Sequence, residues 1–128
     1  MRILLDTHAF FWWVTDDARL STNARNAIGN GANEAFVSAV VAWELSIKGQ
    51  FGKWVAALPI SQDIESILDD NRFQPVAITI AHATLAGSLS SSHRDPFDRL
   101  LAAQAKIEEL TLVTADRALR HFDVDLLW

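Results

Sequence analysis

Two short apolar runs, one near each end of the chain, stop abruptly at a carboxylate. Ile3-Leu4-Leu5 precedes Asp6, and Leu110 to Val113 leads through Thr114-Ala115 to Asp116. Neither run alternates apolar with polar residues. An unbroken run of this length reads as a strand buried on both faces, as in the middle of a parallel sheet. In open α/β sheets, ligands bind just beyond the C-terminal ends of the strands. The two acids are therefore expected at the edge where such a fold does its chemistry.

The rest of the chain supplies the elements such a sheet needs. Ala9 to Val14, rich in Phe and Trp, predicts a short helix. Ser21 caps a second over Thr22 to Ile28, closed by Gly29-Asn30-Gly31. Glu34 to Ser38 predicts the second strand, and Ser38 can cap a helix over Ala39 to Lys48. In that helix Val40, Trp43, Ile47 and Phe51 recur at helical spacing and predict a buried stripe, with Glu44 set inside it. A carboxylate there needs a cation or hydrogen-bond donors. The alternative is a partly exposed Glu44 paired with Lys48 at i+4. Gly49 to Pro59 reads as a link, Ser61 to Asn71 as a helix, Gln74 to Ile78 as a strand, and Thr79 to Leu89 as a capped helix.

The Ser-rich stretch Ser88 to Ser92 reads as a loop. It leads into His93-Arg94-Asp95-Pro96-Phe97-Asp98-Arg99, the densest polar segment of the chain. Pro96 suits the first helical position, which makes Asp95 the N-cap and puts Asp98 in the first turn. Arg117 to Arg120 reads as a helical turn, and Leu126-Leu127 as a last edge strand. The order is that of a single α/β domain over residues 1–128, a three-layer α/β/α sandwich on a central parallel sheet. Right-handed crossovers bring Asp6, Glu44, Asp98 and Asp116 to one edge.

Composition narrows the chemistry. The chain has 128 residues, no cysteine and a net charge of −5. Thiolate zinc sites, disulfides and cysteine nucleophiles are excluded. Polyanion-coating proteins are usually basic, so the acidic balance argues against that class but not against an enzyme that meets phosphate through a metal. Clustered carboxylates must bind protons or a cation, and hard oxygen ligands suit Mg2+ or Mn2+. No run approaches the roughly 20 apolar residues of a membrane span. With no leader-like N-terminus, the chain reads as cytoplasmic. Five tryptophans are many for one small core, and some are expected at a protein interface.

Four fragments together resemble the PIN-domain family, and within it the VapC-type ribonuclease toxins. They are Leu4-Leu5-Asp6-Thr7, the segment Ser38 to Glu44 continuing into Leu45, Asp98-Arg99-Leu100-Leu101-Ala102-Ala103-Gln104-Ala105, and Leu112-Val113-Thr114-Ala115-Asp116. The resemblance implies a Mg2+- or Mn2+-dependent endoribonuclease. It also implies a homodimer, silenced by a small antitoxin. By position, Asp6, Glu44 and Asp98 are the core acids and Asp116 the fourth, with Asp95 an alternative third acid or only a helix cap. Thr7 and Thr114 are candidates for hydrogen-bonding the carboxylates or the scissile phosphate. Arg94, Arg99 and Arg117 are candidates for guiding phosphate, or solvated helix-end charges. Rival readings are a phosphatase with an aspartyl nucleophile, which wants a second Asp where His8 stands, a phospho-receiver domain, which wants paired acids and a late lysine, and a catalytically degenerate scaffold.

Overall fold

A computed structural model describes all 128 residues. Five parallel strands form one sheet in the order β3-β2-β1-β4-β5: β1 (Arg2–Leu5), β2 (Glu34–Ser38), β3 (Gln74–Val76), β4 (Thr111–Val113) and β5 (Leu126–Leu127). Strand β1 is central. Leu4 lies opposite Phe36 on one side and Leu112 on the other. Ile3, Leu4 and Leu5 are fully buried, as an unbroken apolar run in mid-sheet must be. The α/β sandwich read from the sequence is the fold observed.

The helices are α1 (Thr7–Val14), α2 (Thr22–Gly29), α3 (Ala39–Gln50), α4 (Ala57–Gln62), α5 (Ile64–Asn71), α6 (Ile80–Ser88) and α7 (Pro96–Ile107), with a 3-10 turn over Arg117–Phe122. From β1 the chain steps outward through β2 to β3, then crosses back to β4 and on to β5. Because parallel crossovers are right-handed, the two directions of travel put their helices on opposite faces. The direction reverses between β1 and β4. That reversal opens a crevice at their C-terminal ends, the topological switch point where α/β sheets bind ligands. Asp6 and Asp116 follow the two strands that flank it.

Three local readings are corrected. The buried face of α3 is Val40, Val41, Glu44, Leu45 and Gly49, not the stripe Val40, Trp43, Ile47 and Phe51. Trp43 is 45% exposed and Phe51 73%. The apolar period points to the wrong side because the inner face carries a carboxylate and a glycine. A Cβ on Gly49 would come within 2.8 Å of the Leu58 side chain, so the glycine is what lets α4 pack against α3. Second, Gly49 to Pro59 is not wholly a link, since α4 begins at Ala57. Pro59 fits because it sits in the first turn, where its missing amide loses nothing. Third, the helix expected over Ser61 to Asn71 is divided at Asp63, between α4 and α5.

Candidate active site

Asp6 follows β1 and caps α1, which starts at Thr7 rather than Ala9. Its Oδ1 accepts from the Ala9 amide at 2.7 Å. The Thr114 hydroxyl, from just past β4, is close enough to favour the charged form of the same carboxylate. Asp6 is only 7% exposed. Burial pushes its pKa from the usual 3.8 up to about 7, the bonds from Thr114 and Ala9 oppose the rise, and the charges of Asp98 and Glu44 add to it.

Glu44 comes to the same place from the inner face of α3 and is 5% exposed. Both its oxygens are engaged. The Thr7 hydroxyl donates to Oε1 at 2.5 Å, and the Lys48 ammonium pairs with Oε2. Both sequence readings of Glu44 hold in part: it is paired with Lys48, yet it is buried.

Asp98 stands in the first turn of α7. Its Oδ2 is 2.8 Å from Nε2 of His93, whose ring packs edge-on against buried Phe122. Burial is the main cause of a raised pKa at Asp98; His93 opposes it, and Asp95 and Glu44 reinforce it. Asp95 is the N-cap of α7, with Oδ1 accepting from the amides of Phe97 (2.9 Å) and Asp98 (3.1 Å). Asn caps as well as Asp. Asp95→Asn is therefore expected to leave stability within about 0.5 kcal/mol of wild type and to retain activity. Asp95→Ala is expected to lose about 1 kcal/mol. Urea denaturation measures both.

Asp116 caps the 3-10 turn through Ala118, and its own amide donates to Thr114 Oγ1 at 3.0 Å. One cleft of about 360 Å³ is lined by Asp6, Glu44, Asp98, Asp116 and Asp95, together with Thr7 and Lys48. The four acids expected at the sheet edge are brought into one cleft, along with the Asp95 alternative.

The expected arginines are placed differently. Arg94 and Arg117 are exposed and do not line the cleft. Arg99 does not line it either. Its guanidinium donates to the carbonyls of Ala86 (2.8 Å), Leu89 (2.6 Å) and His93 (2.8 Å). It ties the Ser-rich loop to α7 and fixes the backbone of His93. Arg99→Gln is expected to cost about 2–3 kcal/mol and to speed hydrogen exchange over residues 89–93, with less change in the sheet.

His8, Trp12 and Lys48, beside the four expected acids, also line the cleft. Their signals are proximity ones: His8 two residues after Asp6 and Lys48 one turn after Glu44. Trp12 packs beside Trp128, with the rings 5.8 Å apart, whereas Trp13 is against Phe73 with its Nε1 donating to Asn71.

The donor set fits a hard divalent cation. Ligand atoms of His93, Asp98 and Asp116 lie within 4.8 Å of one another. Asp6 is an acid whose burial opposes ionisation and which a cation would relieve. Carboxylate oxygens with no sulfur suit a hard divalent cation, and His93, hydrogen-bonded to Asp98, stands beside them.

Comparison with known proteins agrees with this geometry. A family model described as PIN domain matches residues 3–125. Ribonuclease VapC22 of Mycobacterium tuberculosis is 36% identical over 119 residues, covering 92% of this chain and 89% of that protein. Among solved structures, VapBC2 from Rickettsia felis, bound to a DNA fragment from its promoter, superposes with a TM-score of 0.67 at 20% identity, over 98% of this chain and 97% of that one. FitAcB from Neisseria gonorrhoeae gives a TM-score of 0.62 at 23% identity, over 98% and 96%. The two structural likenesses establish the fold, and the family model and the curated relative establish descent: this chain belongs to the PIN domain family.

Proposed function

We propose that this chain is a metal-dependent endoribonuclease, the toxin of a toxin–antitoxin pair, hydrolysing RNA phosphodiester bonds. The observation that carries the reading is the meeting of Asp6, Glu44, Asp98 and Asp116 in one cleft at the switch point of the sheet. The relative named as a ribonuclease supports it. Asp6, Asp98 and Asp116 are the residues that would hold Mg2+ or Mn2+. Such an ion supplies charge neutralisation at the phosphate and a more acidic water.

The chain's own residues do the remaining work. Asp6 accepts from the Ala9 amide, which orients its carboxylate. His93 fixes Asp98 in the same way, through a loop that Arg99 pins to α7. Glu44, oriented by Thr7, would accept a hydrogen bond from the attacking water. The partners of this reading are an RNA substrate, a small cognate antitoxin and a second copy of the chain, in the cytoplasm. No helix is long and apolar enough to cross a membrane.

The test is incubation of antitoxin-free protein with total cellular RNA in Mg2+ or Mn2+, with and without EDTA, followed by sequencing of the new ends. Discrete cuts that EDTA abolishes are expected. Folded protein that cuts no RNA in either metal contradicts the reading and favours a scaffold that binds an antitoxin without catalysis.

A further inference from the structure

The cleft contains a cation of its own. Lys48 is the only lysine or arginine among its lining residues, against five carboxylates. It lies in the last turn of α3, where a positive side chain also meets the negative end of the helix dipole. An ordinary i,i+4 pair would explain Lys48 if Glu44 were at the surface. Glu44 is instead buried, faces the cleft and has its other oxygen held by Thr7.

The carboxylates of the cleft therefore differ in their partners. At Glu44, an ammonium already sits against the carboxylate. A divalent ion bound to that carboxylate would stand close to a fixed positive charge, in a partly buried site where such repulsion is poorly screened. No lysine or arginine other than Lys48 lines the cleft: Asp98 pairs with the His93 imidazole, and Asp6 accepts from the Ala9 amide.

We propose that Lys48 takes the place of a second metal ion: the chain binds one divalent ion, among Asp6, Asp98 and Asp116, while Lys48 holds Glu44 and presents its ammonium to the RNA phosphate. Two-metal phosphodiesterases bracket the phosphate between two ions. Here one ion and the Lys48 ammonium would share the neutralisation that two ions supply there. The proposal rests on the metal-dependent reading above and adds the stoichiometry and the residue responsible for it. It also separates Glu44 from the ligands, as a group that orients rather than coordinates.

The test counts bound Mn2+ per chain by electron paramagnetic resonance of the free ion at neutral pH, which needs no RNA and no activity. Wild type and Lys48→Arg are expected to bind one ion. Lys48→Gln is expected to bind two, because Glu44 becomes free to ligate. The double variant Lys48→Gln/Glu44→Gln is expected to return to one, which locates the second ion on Glu44. Circular dichroism checks that each variant is folded. Two ions on wild type, or one ion on folded Lys48→Gln, overturns the proposal. No ion on wild type overturns the metal reading itself, a result distinct from the other two.

Discussion

Asp98→Asn is expected to lower RNA cleavage by about a thousandfold or more while the chain stays folded. A thousandfold loss corresponds to roughly 4 kcal/mol of transition-state stabilisation, the scale of removing one charged ligand from a low-dielectric metal site. The fold should tolerate the change. Asp98 is not the helix cap, since Asp95 supplies that. In the first turn of α7, its own favourable dipole contribution is only about 0.3–1 kcal/mol. Its pKa is raised by burial and by the neighbouring acids, so the neutral amide relieves repulsion that offsets this loss. The comparison is with Asp95→Asn, one turn away on the same helix, which is expected to cut RNA. Initial rates on one RNA, with melting curves for both variants, decide the matter. Equal loss in both would mean that Asp95 also touches the metal.

The second large effect is on stability. Asp6→Asn is expected to raise the stability of the metal-free chain at neutral pH and above, while abolishing activity. The folded chain holds the Asp6 proton up to about pH 7, whereas an unfolded chain releases it near 3.8. Between those values the folded state binds more protons than the unfolded state, so stability falls as pH rises. The whole of this loss is present above about pH 7, and none of it below about pH 3.8. The gap corresponds to roughly 4 kcal/mol at most. Asn keeps an oxygen for the Ala9 amide, so that contact survives. The difference between variant and wild type in urea denaturation should widen from pH 4 to pH 7 and then level off. Saturating Mn2+ should narrow it by stabilising wild type alone. A constant difference across that range would show that Asp6 is ionised in the fold throughout.

How much of this was legible beforehand depended on whether the chemistry has a local pattern. Asp6 and Asp116 follow apolar strands, and that pattern shows in the residues themselves. The Asp95 cap was legible because Pro96 restricts its own backbone and fits only the start of a helix. The inner face of α3 was not. Periodicity favours the side with Trp43 and Phe51, and it counts Glu44 as an intruder. A functional site is where a buried face is expected to break the apolar rule. The division between α4 and α5 at Asp63 has no glycine or proline to mark it. Arg99 was opaque for a different reason. Its partners are backbone carbonyls, which are the same in every residue, so nothing in the sequence distinguishes a clamp from a surface charge. Lys48 was visible as a helix partner of Glu44, but its place inside the cleft depends on how α3 is rotated against the sheet.

The most direct test of the acid cluster as one metal centre is an anomalous difference map from crystals grown in Mn2+. A peak is expected among the carboxylates of Asp6, Asp98 and Asp116, with the Lys48–Glu44 pair still formed beside it. A map with no peak in the cleft at saturating Mn2+, or with its peak on Glu44 and Lys48 displaced, would contradict that assignment.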